Sequence, residues 1–191
     1  MAGSKEEAAE AEAADDAEWK VYTDGSGIEG CIGGAAVLYR GGEEVASARI
    51  YLGRAFRHTV FEGEGVGGGL AMWLVERQAE VKGRVTVVVD SQPAVRATQT
   101  AASTPSHWIW DVWEGRARAV RRRHPEAMVT VRWAPGHVGI VGNERADEEA
   151  KKAAINWSSS LSGDFPRAFR GELPWSKSAV RQDFNAELKE A

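Results

Sequence analysis

Seven residues, Arg84 to Asp90 (RVTVVVD), restrict the fold of this chain more than any other stretch. A continuous β-branched run has apolar side chains on both faces, so it suits a strand covered on both sides. That is the habit of a parallel strand inside a layered α/β domain. The run ends on a carboxylate, Asp90. Acids are rarely buried without a partner, and in open α/β sheets ligands gather beyond the carboxyl ends of the strands. An acid closing such a strand therefore has two readings, a turn or cap residue and a ligand to something bound there.

The flanking sequence supplies the rest of a sheet. Trp19 to Asp24 (WKVYTD) reads as a strand ending on Asp24, with Gly25-Ser26-Gly27 turning the chain. Gly30 to Arg40 reads as a second strand, Gly41-Gly42 as a hairpin turn, and Glu43 to Leu52 as the third strand of a meander. Residues 59–80 suit a helix by length and by the spacing of Leu70, Trp73 and Leu74. Ser106 to Arg123 reads as a helix with Ile109, Trp113, Ala117 and Val120 on one face. Met128 to Trp133 follows as a fifth strand and Asn143 to Ala154 as a helix. The order βββαβαβα predicts an α/β fold, a five-stranded mixed sheet with helices on both faces.

Outside this unit the composition changes. Residues 1–18 hold seven acids and one lysine, so they contribute −6 to a net charge of −4 and leave the remainder at +2. Such an Ala/Glu/Asp run buries little apolar area and is expected to be a disordered acidic tail. Residues 156–174 read as a linker, and Ser176 to Glu190 as a helix with Val180, Phe184 and Leu188 on one stripe. The expected organisation is a tail at 1–18, one domain at 19–155, and a linker with a C-terminal helix at 156–191. Cys31, the single cysteine, excludes an intrachain disulfide and a thiolate metal site. With no apolar signal region at the N-terminus and no run of about 20 apolar residues, the expectation is an intracellular protein, in cytoplasm or nucleus, not secreted and with no membrane partner.

Further carboxylates complete the picture. The run Trp133 to Asp147 (WAPGHVGIVGNERAD) sets His137 in a glycine-punctuated loop and Asp147 early in the following helix. Glu64 lies in the first helix. Asp24, Glu64, Asp90 and Asp147 in one cleft would repel one another unless a cation sat among them. Ligation by oxygen alone points to Mg²⁺ or Mn²⁺ rather than zinc. Two such ions about 4 Å apart can activate water and stabilise both entering and leaving oxygens of a phosphodiester.

The set TDGS (Thr23 to Ser26), the Glu64 helix, VVVDSQPAV (Val87 to Val95) and WAPGHVGIVGNERADEEAKK (Trp133 to Lys152) resembles type 1 ribonuclease H. Within that family it is most similar to the RNase H domain of retrotransposon (non-LTR type) reverse-transcriptase polyproteins. The resemblance covers residues 19–155. It implies an endoribonuclease that cuts the RNA of RNA/DNA hybrids with two Mg²⁺ ions, Mn²⁺ being an alternative. It also implies a reverse-transcriptase domain as a partner in the same polyprotein, and a monomer when the domain is isolated. Asp24 would bridge both ions, and Asp90 would help hold the one that activates water. Glu64 and Asp147 would hold the ion on the leaving-group side, Glu64 also lying near the RNA 2′-hydroxyl. His137 would assist proton transfer or product release from its loop. Ser26 and Asn143 fall where the family contacts substrate backbone, and products would carry a 3′-hydroxyl and a 5′-phosphate. Two rivals remain: a catalytically inactive module of the same fold that binds nucleic acid, and a nuclease of this fold acting on DNA.

Some residues depart from the family pattern. Gly63, Gly65, Gly67, Gly68 and Gly69 crowd the Glu64 helix, where each interior glycine costs about 1 kcal/mol relative to alanine. They signify either a close approach of helix to sheet or a degenerating element. Glu62 is a rival to Glu64, which keeps the family register to Ala71. The bases Arg116, Arg118, Arg121, Arg122 and Arg123 either grip phosphates, with Arg121 and Arg122 as the substrate contacts, or form a solvated helix end that complements the dipole. Of Trp108, Trp110 and Trp113, the last belongs to the core stripe and one of the others is expected to be exposed. His58, His107 and His124 are expected at the surface. No basic, aromatic hybrid-binding module precedes the domain, so weak substrate affinity is expected.

Overall fold

β4 (Gly83–Val89) lies where its composition requires, with parallel neighbours on both sides. The computed structural model describes residues 4–99, 107–136, 138–160 and 165–190. The remaining strands are β1 (Trp19–Ile28), β2 (Cys31–Arg40), β3 (Glu43–Arg54) and β5 (Ala127–Trp133). Their order in the sheet is β3-β2-β1-β4-β5. β1, β2 and β3 form the expected antiparallel meander. The helices are α1 (Lys5–Ala13), α2 (Val60–Glu76), α3 (Gln92–Ala97), α4 (His107–Arg123), α5 (Val141–Asn156) and α6 (Lys177–Glu190). α2 lies on one face of the sheet with α4 packed against it, and α5 covers β1, β2 and β3 from the other. The fold is the mixed α/β sheet that the element order predicts. Among the described residues, no helix is long and apolar enough to cross a membrane.

Alternation along the strands divides the core. Val21, Val85, Val87 and Val89 join Val66 and Leu70 of α2 in the larger cluster. Tyr22, Val37 and Val88 meet Ala146 of α5 in the smaller one. Cys31 is buried in its strand.

Several local expectations need correction. Gly25-Ser26-Gly27 does not turn the chain: β1 runs on to Ile28, and the turn falls at Glu29-Gly30, with φ of 51° and 71°. α3 is a short helix that periodicity does not reveal. Its signal is local, a Ser91 side chain capping the Ala94 amide with Pro93 in the first turn. α5 begins at Val141, so Asn143 lies inside its first turn. His58 and His124 are buried, and Trp108 is half-buried against Phe169.

The acidic N-terminus is not the solvated tail its composition predicts, and the segment read as a linker packs onto the body of the protein. The acidic N-terminus carries α1, whose Glu12 is buried against the Tyr22 hydroxyl at 2.6 Å and Lys20 Nζ at 2.9 Å. The segment after α5 crosses β3, where Ser159 and Ser160 hydroxyls accept from the Tyr51 and Arg49 amides at 3.0 and 2.9 Å. It then buries Phe165, Phe169 and Leu173 in the larger cluster. α6 stays on the surface, with Val180, Phe184 and Leu188 exposed.

Candidate metal centre

Sheet register creates the first half of the site. Thr23 pairs with Val89 across the parallel β1–β4 ladder, so the next residues, Asp24 and Asp90, stand side by side at the carboxyl ends of both strands. α2 delivers the third acid from above. A capping box starts this helix: the Thr59 side chain accepts from the Glu62 amide, and the Glu62 carboxylate accepts from the Thr59 amide at 2.8 Å. Glu62 is thereby committed to the helix start, while Glu64, half a turn on, faces the strand ends.

The glycines permit that approach. A Cβ on Gly63 would lie 2.6 Å from the Gly33 carbonyl oxygen, and one on Gly67 would lie 2.7 Å from that of Ala35. On the helix's other side, a Cβ on Gly65 would meet Ile109 at 2.7 Å, and one on Gly69 would meet Phe169 at 2.6 Å. Gly68 accepts the ring of Trp113 where a methyl would stand. Of the two readings of this segment, close packing is the one observed.

Asp24, Glu64 and Asp90 each offer an oxygen, and these oxygens lie within 4.8 Å of one another. Burial, then the charges of Asp90 and Asp147, pushes the Asp24 carboxyl up to about 7. Burial, then Asp90 and Asp24, raises Glu64 well above the usual carboxylate range. Glu64 Oε2 is buried with no hydrogen-bond partner. Three hard oxygens, one of them buried and unsatisfied, fit a divalent cation better than they fit one another.

Asp147 stands apart from this trio. It lies on α5, close enough to act on Asp24 through space, but its Oδ2 accepts from Lys151 Nζ at 2.6 Å. Ser26 is buried two residues beyond Asp24 on the same face of β1. Asn143 is buried, and its Nδ2 reaches the Pro135 carbonyl at 3.5 Å. His137 lies outside the described residues. Arg121 and Arg122 do not belong to the cluster. α4 runs beside α2, with Ile109 against Gly65 and Arg116 bonded to Glu76 at 2.9 Å. Its exposed arginine end therefore lies at the far end of α2, about 18 Å from Glu64 by helix rise.

Two neighbours escaped the sequence reading. The backbone of Gly136 closes on Asp90, where a Cβ would stand 2.6 Å from Oδ2. The Trp133 indole donates to the Asp90 carbonyl at 3.0 Å. The Pro135-Gly136 pair was legible as a loop, but its contact with Asp90 needs the β4–β5 register. Lys151 was visible one turn past Asp147, at the i,i+4 spacing of helical ion pairs.

A mixed sheet in this strand order, with acids joined at the ends of β1 and β4 and over the start of a helix, defines a class of layered α/β proteins with an acidic cluster able to hold a cation. The chain belongs to the RNase H family, whose sequence model matches residues 16–155. Among solved structures it is similar to RNase H1 from the halophilic archaeon Halobacterium salinarum, at 22% identity and TM-score 0.53, over 73% of this chain and 98% of that one. LC11-RNase H1 in complex with an RNA/DNA hybrid is similar at 20% identity and TM-score 0.56, again over 73% and 98%. The prototype foamy virus protease–reverse transcriptase matches at 20% identity and TM-score 0.54, over 73% of this chain and 21% of that one. At these identities the likeness is one of fold. No curated protein matches the chain by sequence.

Proposed function

We propose that residues 19–155 form an endoribonuclease that hydrolyses the RNA strand of RNA/DNA hybrids, in the manner of the family. The observation that carries this reading is the Asp24, Glu64 and Asp90 cluster, set inside the segment that the family model matches. Asp24, Glu64, Asp90 and Asp147 would hold two Mg²⁺ ions, or Mn²⁺, which supply Lewis acidity and an activated water to phosphodiester hydrolysis. The chain's own part is to fix those oxygens, with Asp24 and Glu64 buried from solvent. β1 and β4 bring Asp24 and Asp90 to one level, and the Gly63 and Gly67 contacts lower Glu64 onto them. Asp24 and Glu64, both buried, cannot share this space as neighbouring anions at low cost, so divalent charge is drawn in. By the family resemblance, Glu64 is assigned to sense the 2′-hydroxyl that distinguishes RNA from DNA. Ser26 and Asn143 are assigned to backbone contact, and His137 to proton transfer or product release.

The likeness in fold to the foamy virus protease–reverse transcriptase, beside the resemblance to retrotransposon RNase H domains, supports a place next to a reverse-transcriptase domain. The rival reading, an inactive binding module, rested on the glycines of α2, and close packing accounts for each of them. A 5′-labelled RNA/DNA hybrid, duplex DNA and duplex RNA incubated with Mg²⁺ or EDTA test the proposal. Hybrid cutting that needs Mg²⁺ and vanishes in Asp24→Asn is expected. Cutting of duplex DNA, or of none of the three, would refute it.

A further inference from the structure

α5 leaves half of its face of the sheet open, and α1 lies across that half. Register places Arg84 level with Met128, and Tyr22 level with Val88 and Arg132. Side chains alternate, so Lys20, Tyr22 and Asp24 share one face of β1, the face that meets α5. Lys20, Arg84 and Arg132 thus form a basic row on the face that carries Asp24. By strand rise it runs from about 7 Å to about 20 Å below the level of Asp24.

Each base is held by the acidic segment. Lys20 Nζ meets the Glu12 carboxylate at 2.9 Å, Arg84 meets Asp15 at 3.1 Å and also Asp16, and Arg132 meets Asp15 at 3.6 Å. Arg132 further donates to the Ala11 carbonyl. Ala8 is the only apolar residue of α1 that is buried, so its docking rests on charge. Residues 1–18 carry −6, and α1 lies before the family match, which begins at residue 16. Contacts of this kind yield to salt and to denser polyanions.

We propose that α1 and the Asp15-Asp16 pair that follows it form an intramolecular polyanion masking a phosphate-binding row, Lys20, Arg84 and Arg132, and that a nucleic-acid backbone displaces it. The inference rests on the nuclease reading and extends it: the row would carry the substrate's backbone away from the cation site. It also predicts weak affinity in the resting chain, since three phosphate contacts are occupied from within.

The test is binding of a fluorescent RNA/DNA hybrid to the full chain in EDTA, where nothing is cut. Glu12→Gln/Asp15→Asn/Asp16→Asn should bind about tenfold tighter than wild type, with a log Kd against log salt slope steeper by roughly 2–3. Adding Lys20→Gln, Arg84→Gln and Arg132→Gln should abolish the gain. In the wild type, saturating hybrid should speed amide exchange in α1, a readout that survives if the variants misfold. Unchanged affinity in a folded triple variant, or unchanged α1 protection under saturating hybrid, overturns the proposal. Wild-type cutting of the hybrid with Mg²⁺ reports separately on the nuclease reading. An active enzyme with unchanged variant affinity sinks the mask alone, and tighter variant binding without any cutting sinks the nuclease alone.

Discussion

A single buried carboxylate on α5 and the cluster of carboxylates at the strand ends are built on opposite plans. On α5, Glu149 sits under three cations: Arg49 at 2.5 Å, Arg145 at 2.6 Å and Lys152 at 3.0 Å. Burial alone would raise its pKa, but hydrogen bonds from Arg145, Lys152 and Arg49 outweigh burial and hold it at about 2. At the strand ends the same burial acts on Asp24 and Glu64, and their neighbours are acids, so both are pushed up. Among the described residues, no arginine or lysine forms an ion pair with Asp24 or Glu64, and Lys151 acts on Asp24 only through space. A carboxylate that is satisfied from within holds helix to sheet; one left unsatisfied is set to be satisfied from without.

That contrast can be broken by substitution. The largest effect is expected at Asp24→Asn, which should lower hybrid cutting by roughly a thousandfold or more, about 4 kcal/mol of barrier, in a steady-state assay. A variant retaining wild-type turnover would remove the site from the strand ends. Next comes Glu149→Ala, which strands the cations that tie α5 to β3 and should cost about 2–3 kcal/mol in denaturant unfolding, with cutting per folded molecule preserved. Gly67→Ala tests the packing that lowers Glu64. A helix normally gains from alanine, but here the methyl meets the Ala35 carbonyl, so a loss of about 1–3 kcal/mol is expected. Gly115→Ala, in α4 with open space around it, should instead gain about 0.5–1 kcal/mol. If both glycines respond alike, α2 is not pressed against the sheet.

The smallest test turns on pH. Asp24 has its folded pKa raised from 3.8 to about 7, so the metal-free fold favours the protonated acid and loses stability as pH rises between those values. Glu149 has the reverse sign: its contribution is full above 4.5 and is lost as pH falls toward 2. Metal-free Asp24→Asn should therefore melt higher than wild type at pH 8, by the equivalent of about 1–2 kcal/mol, with the gap closing near pH 4. Added Mg²⁺ should stabilise the wild type most at the higher pH. A gap independent of pH would mean that Asp24 carries no buried charge.

How far these features could be read in advance depends on the range of the interactions behind them. The β-branched run of β4 and the alternation of the meander are local patterns, and they specified the sheet. Asp24 and Asp90 were legible because each closes its strand, and parallel strands align their ends. The glycines of α2 look like helix breakers in isolation. Their meaning lies in the Gly33 and Ala35 carbonyls and in the Trp113 and Phe169 rings, none of which is near in sequence. Residues 1–18 were read as a tail because Glu12, Asp15 and Asp16 find their partners on three different strands. Phe165, Phe169 and Leu173 were read as linker because they are buried without any helical or strand period. Asp147 lies on α5 near Asp24 but outside the acidic trio and is engaged by Lys151, a pairing that position alone does not disclose.

The serines that cross β3 have an effect beyond anchoring the chain. β3 is one rim of the sheet, and a bare rim offers free amides and carbonyls as a template for another chain to add a strand. Ser159 and Ser160 take the outward amides of Tyr51 and Arg49, and the Ser160 amide donates to the Arg49 carbonyl at 2.7 Å. The segment thereby spends its own polar groups on that rim, leaving fewer of its amides and carbonyls free to template another strand.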